Sequence, residues 1–132
     1  MSKTAILIDD DRDDLEFLEE AIKQVDHSVK CIPYLFCDDA LRKLLNDPSL
    51  VPNYIFIDMN MPRWNGNQCL KELRSDPKLK DVPITMLSTS MPAPVAEVLK
   101  ENGANFTFEK PKNFDDYEQI LKLVLNNGFT SS

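Results

Sequence analysis

Five side chains spread along the sequence could do one piece of chemistry together: Asp9, Asp10, Asp58, Ser88 and Lys110. Three carboxylates brought close repel one another unless a cation sits among them. Oxygen-only ligands with positions left open for water suit Mg²⁺, and Mn²⁺ could stand in. With such a metal bound, one carboxylate can act as a nucleophile toward phosphorus and become an aspartyl-phosphate. The phosphoryl oxygens then need partners: the metal for one, the Lys110 ammonium for another and the Ser88 hydroxyl for a third. No Ser-His-Asp arrangement competes with this reading. The single histidine, His27, falls near the end of a predicted helix and reads as a solvated surface residue.

The five groups meet only if the chain brings them together, and the pattern around them says how. Ala5-Ile6-Leu7-Ile8 is a continuous apolar run, as expected of a strand covered on both faces, and Asp9 follows it. Tyr54-Ile55-Phe56-Ile57 runs into Asp58 in the same way. Val82 to Leu87 closes with Ser88, and Ala104 to Phe108 leads to Lys110. Val29 to Phe36 reads as one more strand. Helical periodicity fills the gaps. Leu15, Leu18, Ile22 and Val25 are spaced for one helix; Leu41, Leu44 and Leu45 follow Asp38 or Asp39; Leu70 and Leu73 follow Gly66. Val95, Val98 and Leu99 precede the stop Asn102-Gly103, and Tyr117, Ile120, Leu121, Val124 and Leu125 precede Asn127-Gly128. Asp11, Asp13 and Asp14 suit the first turn of the first helix, with Asp11 as its cap. Asp76-Pro77 ends the third helix. Phe129 to Ser132 reads as a frayed tail.

Five strands alternating with five helices imply an α/β domain with a doubly wound parallel sheet, and the usual strand order is 2-1-3-4-5. Ligands bind such sheets beyond the carboxyl ends of the strands, where the order reverses, here between the first and third strands. Asp9, Asp10, Asp58, Ser88 and Lys110 all fall at those ends.

The 132 residues suit one domain, 1–132, with its core over about 3–128. A net charge of −7, with no Lys/Arg run, argues against a nucleic-acid partner. No apolar run approaches the roughly 20 residues that cross a bilayer, and no signal-peptide pattern opens the sequence. Cys31, Cys37 and Cys69 have no metal-like spacing and read as reduced thiols in a cytoplasmic protein.

From about Lys3 to Gly128 the chain resembles response-regulator receiver domains, which have the flavodoxin-like fold. The resemblance is carried by Ile8-Asp9-Asp10-Asp11, by Ile57-Asp58-Met59-Asn60-Met61-Pro62 with Gly66 beyond it, by Met86-Leu87-Ser88-Thr89 and by Glu109-Lys110-Pro111. Each piece alone is weak: the acids could be a capping run, Asp58 a turn residue, Lys110 a solvated lysine and Gly66 a shape-setting glycine at the helix start. All four pieces in order, each at a strand end, are specific. Receivers are themselves type examples of the 2-1-3-4-5 order, so that order and the resemblance are not independent supports.

The resemblance implies that Asp58 is the phosphoacceptor. Asp10, Asp58 and the Asn60 backbone carbonyl would ligate Mg²⁺, with Asp9 acting largely through water. Ser88 would be the hydroxyl that moves toward the phosphate, Lys110 the phosphate-binding lysine, and Pro111 would follow a cis bond. The donor implied is a histidine kinase or a histidine phosphotransfer protein. The chain ends where a receiver ends, so it is expected to act by binding a downstream protein of unknown identity, as a signalling module rather than an enzyme. The surface implied is the fourth helix, fifth strand and last helix. Met91, Val95 and Phe106 are candidate contacts there, although Val95 fits a core position as well. One residue departs from the family: Thr107 stands where many receivers carry Tyr or Phe, and strand alternation sends Phe106 and Phe108 to the opposite face. Two other classes fit less well. A haloacid-dehalogenase-type phosphohydrolase wants an acid where Asn60 stands, and a flavodoxin-like cofactor binder would meet repulsion between its phosphate and Asp9-Asp10-Asp11.

Overall fold

Strands that are apolar at every position, such as Tyr54 to Ile57, lose water on both sides, and a sheet between two helical layers provides that. The computed structural model describes residues 3–61 and 65–127; Pro62, Arg63, Trp64 and the tail beyond residue 127 lie outside the described residues. Strands and helices alternate: β1 (Lys3–Ile8), α1 (Arg12–Val25), β2 (Val29–Tyr34), α2 (Cys37–Asn46), β3 (Tyr54–Asp58), α3 (Gly66–Arg74), β4 (Ile84–Ser88), α4 (Ala93–Glu101), β5 (Phe106–Glu109) and α5 (Phe114–Asn127). A 3₁₀ turn, Pro77–Leu79, follows α3. All strand pairs are parallel and the order is β2-β1-β3-β4-β5, as the alternation predicts.

The two-residue period of the strands sorts the core into two layers. Ala5, Leu7, Tyr54, Phe56 and Leu87 face α1 and α5. Ile6, Ile8, Ile55, Ile57, Ile84 and Met86 face the α2, α3 and α4 side. Removing one of these large side chains costs about 2–5 kcal/mol, because a close-packed interior cannot collapse around the gap. β2 is an edge strand, which accommodates Pro33.

Local chemistry sets the helix ends. Asp11 caps α1 by accepting from the Asp13 and Asp14 backbone N–H groups, the role expected of it. Asn65 caps α3 in a reciprocal box with Gln68. Gly103, with φ of 112°, supplies the left-handed residue that closes α4.

Several boundaries and two covalent features differ from the sequence reading. β2 stops at Tyr34 rather than Phe36, and α2 begins at Cys37, ahead of Asp38. β4 begins at Ile84, since Pro83 has no N–H to give a ladder. β5 begins at Phe106 because the Asn105 side chain turns back to accept from the Ile84 N–H. Cys37 and Cys69 form a disulfide, which corrects the reading of three thiols; only Cys31 is free. Packing α2 on α3 brings their Cα atoms to 6.0 Å, within bonding reach, across a separation of 32 residues that shows no pattern. No peptide bond among the described residues is cis, so Lys110–Pro111 is trans, the isomer a proline bond intrinsically favours.

Candidate phosphoacceptor site

The carboxyl ends of β1, β3, β4 and β5 lie side by side, and the sheet register brings the expected groups to one rim. Asp58 is the last residue of β3, opposite Leu87, and Ser88 is the last of β4, opposite Glu109. Asp9 and Asp10 follow β1 and Lys110 follows β5. Backbone bonds fix the connections: Asp9 N–H donates to the Tyr34 carbonyl at 3.1 Å and Lys110 N–H to the Ser88 carbonyl at 2.7 Å.

A carboxylate oxygen from each of Asp9, Asp10 and Asp58 falls within 4.8 Å of the others. Asp9 and Asp58 are buried, whereas Asp10 is exposed at the mouth. Lys110 leans across the group. Its Nζ lies 3.0 Å from Asp9 Oδ2, 2.8 Å from Asp14 Oδ2 and 3.1 Å from Asp58 Oδ1. The approach to Asp58 is an ion contact without hydrogen-bond alignment, which leaves Asp58 Oδ1 buried with no hydrogen bond.

The electrostatics follow from burial. Desolvation pushes Asp9 up to about 6, with the Asp58 charge adding to the rise and the Asp11 backbone N–H and Lys110 opposing it. Desolvation also raises Asp58, against the pull of Lys110 and the Asn60 backbone, with Asp10 adding a small push upward. Burial alone would lower Lys110, but hydrogen bonds and charges from Asp14, Asp9 and Asp58 hold it above the usual lysine value. The ammonium is a fixed positive charge here, and it does not offset three carboxylates. Crowded oxygen donors, one of them buried without a hydrogen bond, fit a small hard divalent cation.

Ser88 Oγ accepts from the Asn60 amide Nδ2 at 3.3 Å and from the Ser90 N–H at 3.3 Å. Asn60 Nδ2 also reaches Thr89 Oγ1 at 3.3 Å. Gly66 opens α3 tight against this loop: its N–H donates to the Met59 carbonyl, and a Cβ there would lie 2.7 Å from the Asp58 carbonyl oxygen and from Met59 Cα. Only glycine fits without moving the Asp58–Met59 backbone. Phe106 and Phe108 stack at 6.1 Å and pack toward α1 and α5, so Thr107 points to the other face, as alternation requires. His27 is exposed in the turn after α1.

All five groups singled out from the sequence thus share the rim. Two contacts were not foreseen. Asp14 grips Lys110, although its position in the first helical turn explained it fully as a partner of the helix dipole. The Asn60 side chain bridges Ser88 and Thr89, where only its backbone had been given a role. Neither contact carries a local sequence signal, because Asp14 and Lys110 are 96 residues apart and Asn60 and Ser88 are 28 apart.

The profile of the response regulator receiver domain matches residues 5–122. The chain belongs to this receiver family. Among its relatives, Response regulator Rcp1 of Synechocystis sp. is 26% identical over 92% of this chain and 84% of its own length. Two-component response regulator ARR6 of Arabidopsis thaliana is also 26% identical, over 96% of this chain and 73% of its own. In fold, the receiver superposes on the phosphorylated cyanobacterial phytochrome response regulator RcpA with a TM-score of 0.85 at 24% identity, covering 100% of this chain and 97% of that one. For the Mn²⁺-bound form of Rcp1 the TM-score is 0.81 at 23% identity, over 98% and 96%. Membership of this family makes the protein a phospho-aspartate signalling switch rather than a metabolic enzyme, and it sets aside the phosphohydrolase and flavin-binding readings. No helix among the described residues is long and apolar enough to cross a membrane.

Proposed function

We propose that the receiver takes a phosphoryl group on Asp58 from a histidine kinase or a histidine phosphotransfer protein, with Mg²⁺ or Mn²⁺ held by Asp10, Asp58 and the Asn60 backbone carbonyl. The observation that supports this best is the buried Asp58 carboxylate, placed beside two acids and one lysine with an oxygen that has no hydrogen bond. Both Asp9 oxygens are engaged, by the Asp11 N–H and by Lys110, which favours an indirect role for Asp9 toward the metal. When bound, the metal would neutralise the acids and draw charge from the phosphoryl oxygens.

The residues divide the remaining work. An Asp58 oxygen attacks phosphorus, the bond to the donor nitrogen breaks, and that nitrogen leaves with its electron pair. Lys110 is a fixed cation within reach of the new oxygens. Ser88 reaches the phosphoryl group only by turning from its present partners, and in doing so it would release Asn60 Nδ2 and the Ser90 N–H. That turn couples the added charge to the loop Thr89-Ser90-Met91-Pro92 ahead of α4. Thr107 offers no ring to follow it, so the motion should be smaller than in receivers with an aromatic there. The partner surface we favour is α4, β5 and α5, where Val95 is exposed rather than in the core, while Met91 and Phe106 are partly buried.

Acetyl phosphate with Mg²⁺ should add one hydroxylamine-labile phosphoryl group, seen by intact mass, and Asp58→Asn should abolish it; equal labelling of the mutant would end the proposal. Ser88→Ala should leave Asp58 phosphorylatable but blunt the change in amide exchange over residues 88–100 caused by beryllofluoride. Equal protection in both states of the unaltered protein would refute the switch.

A further inference from the structure

We propose that Asp14 is a positioning residue for the phosphoryl chemistry: its carboxylate, together with that of Asp9, fixes the Lys110 ammonium beside the phosphoacceptor. The inference rests on the reading of Asp58 as phosphoacceptor and adds a residue to it.

Three observations converge on Asp14. Its contact with Lys110, at 2.8 Å, is the shortest of the three that the ammonium makes. The contact to Asp14 and that to Asp9 are aligned hydrogen bonds, whereas the one to Asp58 is not. Asp14 also stands apart from the acids that can share a cation, which are Asp9, Asp10 and Asp58. Its position in the first turn of α1 would satisfy the helix dipole, but Asp13, exposed in the same turn, meets that need as well. The contact with Lys110 is what distinguishes the two.

The arrangement has a mechanical meaning. A lysine has a flexible four-carbon stem, and its ammonium carries three N–H groups. Two of them are tied to Asp9 and Asp14. The third is left for the phosphoryl oxygens, which arrive beside the ammonium, 3.1 Å from Asp58 Oδ1, once an Asp58 oxygen has bonded to phosphorus and the donor group has departed. The two ties hold before and after transfer, so the third donor does not have to be ordered during the reaction. Tyr117 of α5 and Phe17 of α1, packed edge to face at 5.2 Å, help fix α1 against α5 near this contact.

The test uses Asp14→Ala, Asp14→Glu and, as control, Asp13→Ala in the full chain. In the unaltered protein, the Lys110 ammonium should give a resolved ¹H–¹⁵N signal by NMR. It should vanish in Asp14→Ala and persist in Asp14→Glu and Asp13→Ala. Phosphorylation by acetyl phosphate with Mg²⁺, followed by intact mass, should slow roughly three- to five-fold in Asp14→Ala, the size that an ion pair with one half-exposed partner supports. Asp14→Glu should recover most of the rate. An unchanged rate overturns the proposal. A faster rate also overturns it, since Asp14 would then compete with the phosphoryl group for the lysine. So does a slower rate with the ammonium signal intact, or no such signal in the unaltered protein. If the unaltered protein accepts no phosphoryl group at all, the proposed function fails, and the NMR signal still reports separately whether Asp14 holds Lys110.

Discussion

At the carboxyl ends of the strands, Asp9, Asp10 and Asp58 crowd together, a single lysine reaches Asp9 and Asp58, and an Asp58 oxygen is buried without a hydrogen bond. At the amino ends, polar groups are matched. Arg74, at the end of α3, donates to the Gly103 carbonyl at 2.8 Å, the Leu79 carbonyl at 2.6 Å and the Asn105 Oδ1 at 2.6 Å. Asn105 accepts from the Ile84 N–H, and Asn53 accepts from the Thr4 N–H at 2.7 Å. Lys78 bridges the Leu44 and Asp47 carbonyls. One rim carries unbalanced buried charge that a ligand can relieve, and the other spends its polar groups on holding loops. The difference teaches that burial of a charge is not in itself a sign of stability: the sign depends on whether its partners are present in the protein or must come from outside.

Four perturbations would break or sharpen that contrast. The largest effect is expected from Asp58→Asn. It should remove phosphorylation entirely and yet, without metal, raise stability by on the order of 1 kcal/mol. The sign follows from the raised Asp58 pKa: the folded state prefers the protonated acid, so at neutral pH the charged form costs stability that a neutral amide does not. Chemical denaturation of the metal-free protein checks it, and a clear loss of stability would mean that the rim at the carboxyl ends carries no unbalanced charge.

Next comes Arg74→Ala, expected to cost about 2–3 kcal/mol, since it strips a charged donor from four acceptors, the Gly103, Leu79 and Lys80 carbonyls and Asn105 Oδ1. Its phosphorylation rate, measured well below its melting temperature, should match that of the unaltered protein. A rate loss comparable to that of the rim variants would erase the distinction between the two ends. Mg²⁺ at about a hundred times its dissociation constant should add about 2.7 kcal/mol, because a ligand bound only by the folded state stabilises it. Asp10→Asn should shrink that increment, while Arg74→Ala should keep it in full. Thermal melts with and without millimolar Mg²⁺ distinguish the two. The smallest effect is expected from Asp11→Asn, which should alter stability by less than about 0.5 kcal/mol, since asparagine caps a helix as well as aspartate does. It should also leave the Mg²⁺ increment unchanged, as Asp11 caps α1 and is not one of the three acids in the group.

The architecture, and the groups expected to react, were legible in the sequence alone. Apolar runs ending in Asp9, Asp58, Ser88 and Lys110 fix strand ends, and a parallel sheet with helices between its strands must bring successive carboxyl ends to one rim. Those are local signals, two-residue and 3.6-residue periods and residue types at their ends, and short-range physics suffices to read them. The tertiary structure decided what depends on pairs distant in the chain. The grip of Asp14 on Lys110, the Asn60 bridge to Ser88, the Cys37–Cys69 disulfide and the Arg74 clamp each join residues whose separation carries no period and whose types have sufficient local explanations. Only the packing of α1 on α5, the pairing of β3 with β4, the packing of α2 on α3 and of α3 beneath the α4–β5 turn bring those atoms within bonding distance, and that packing is a property of the whole core rather than of any one segment.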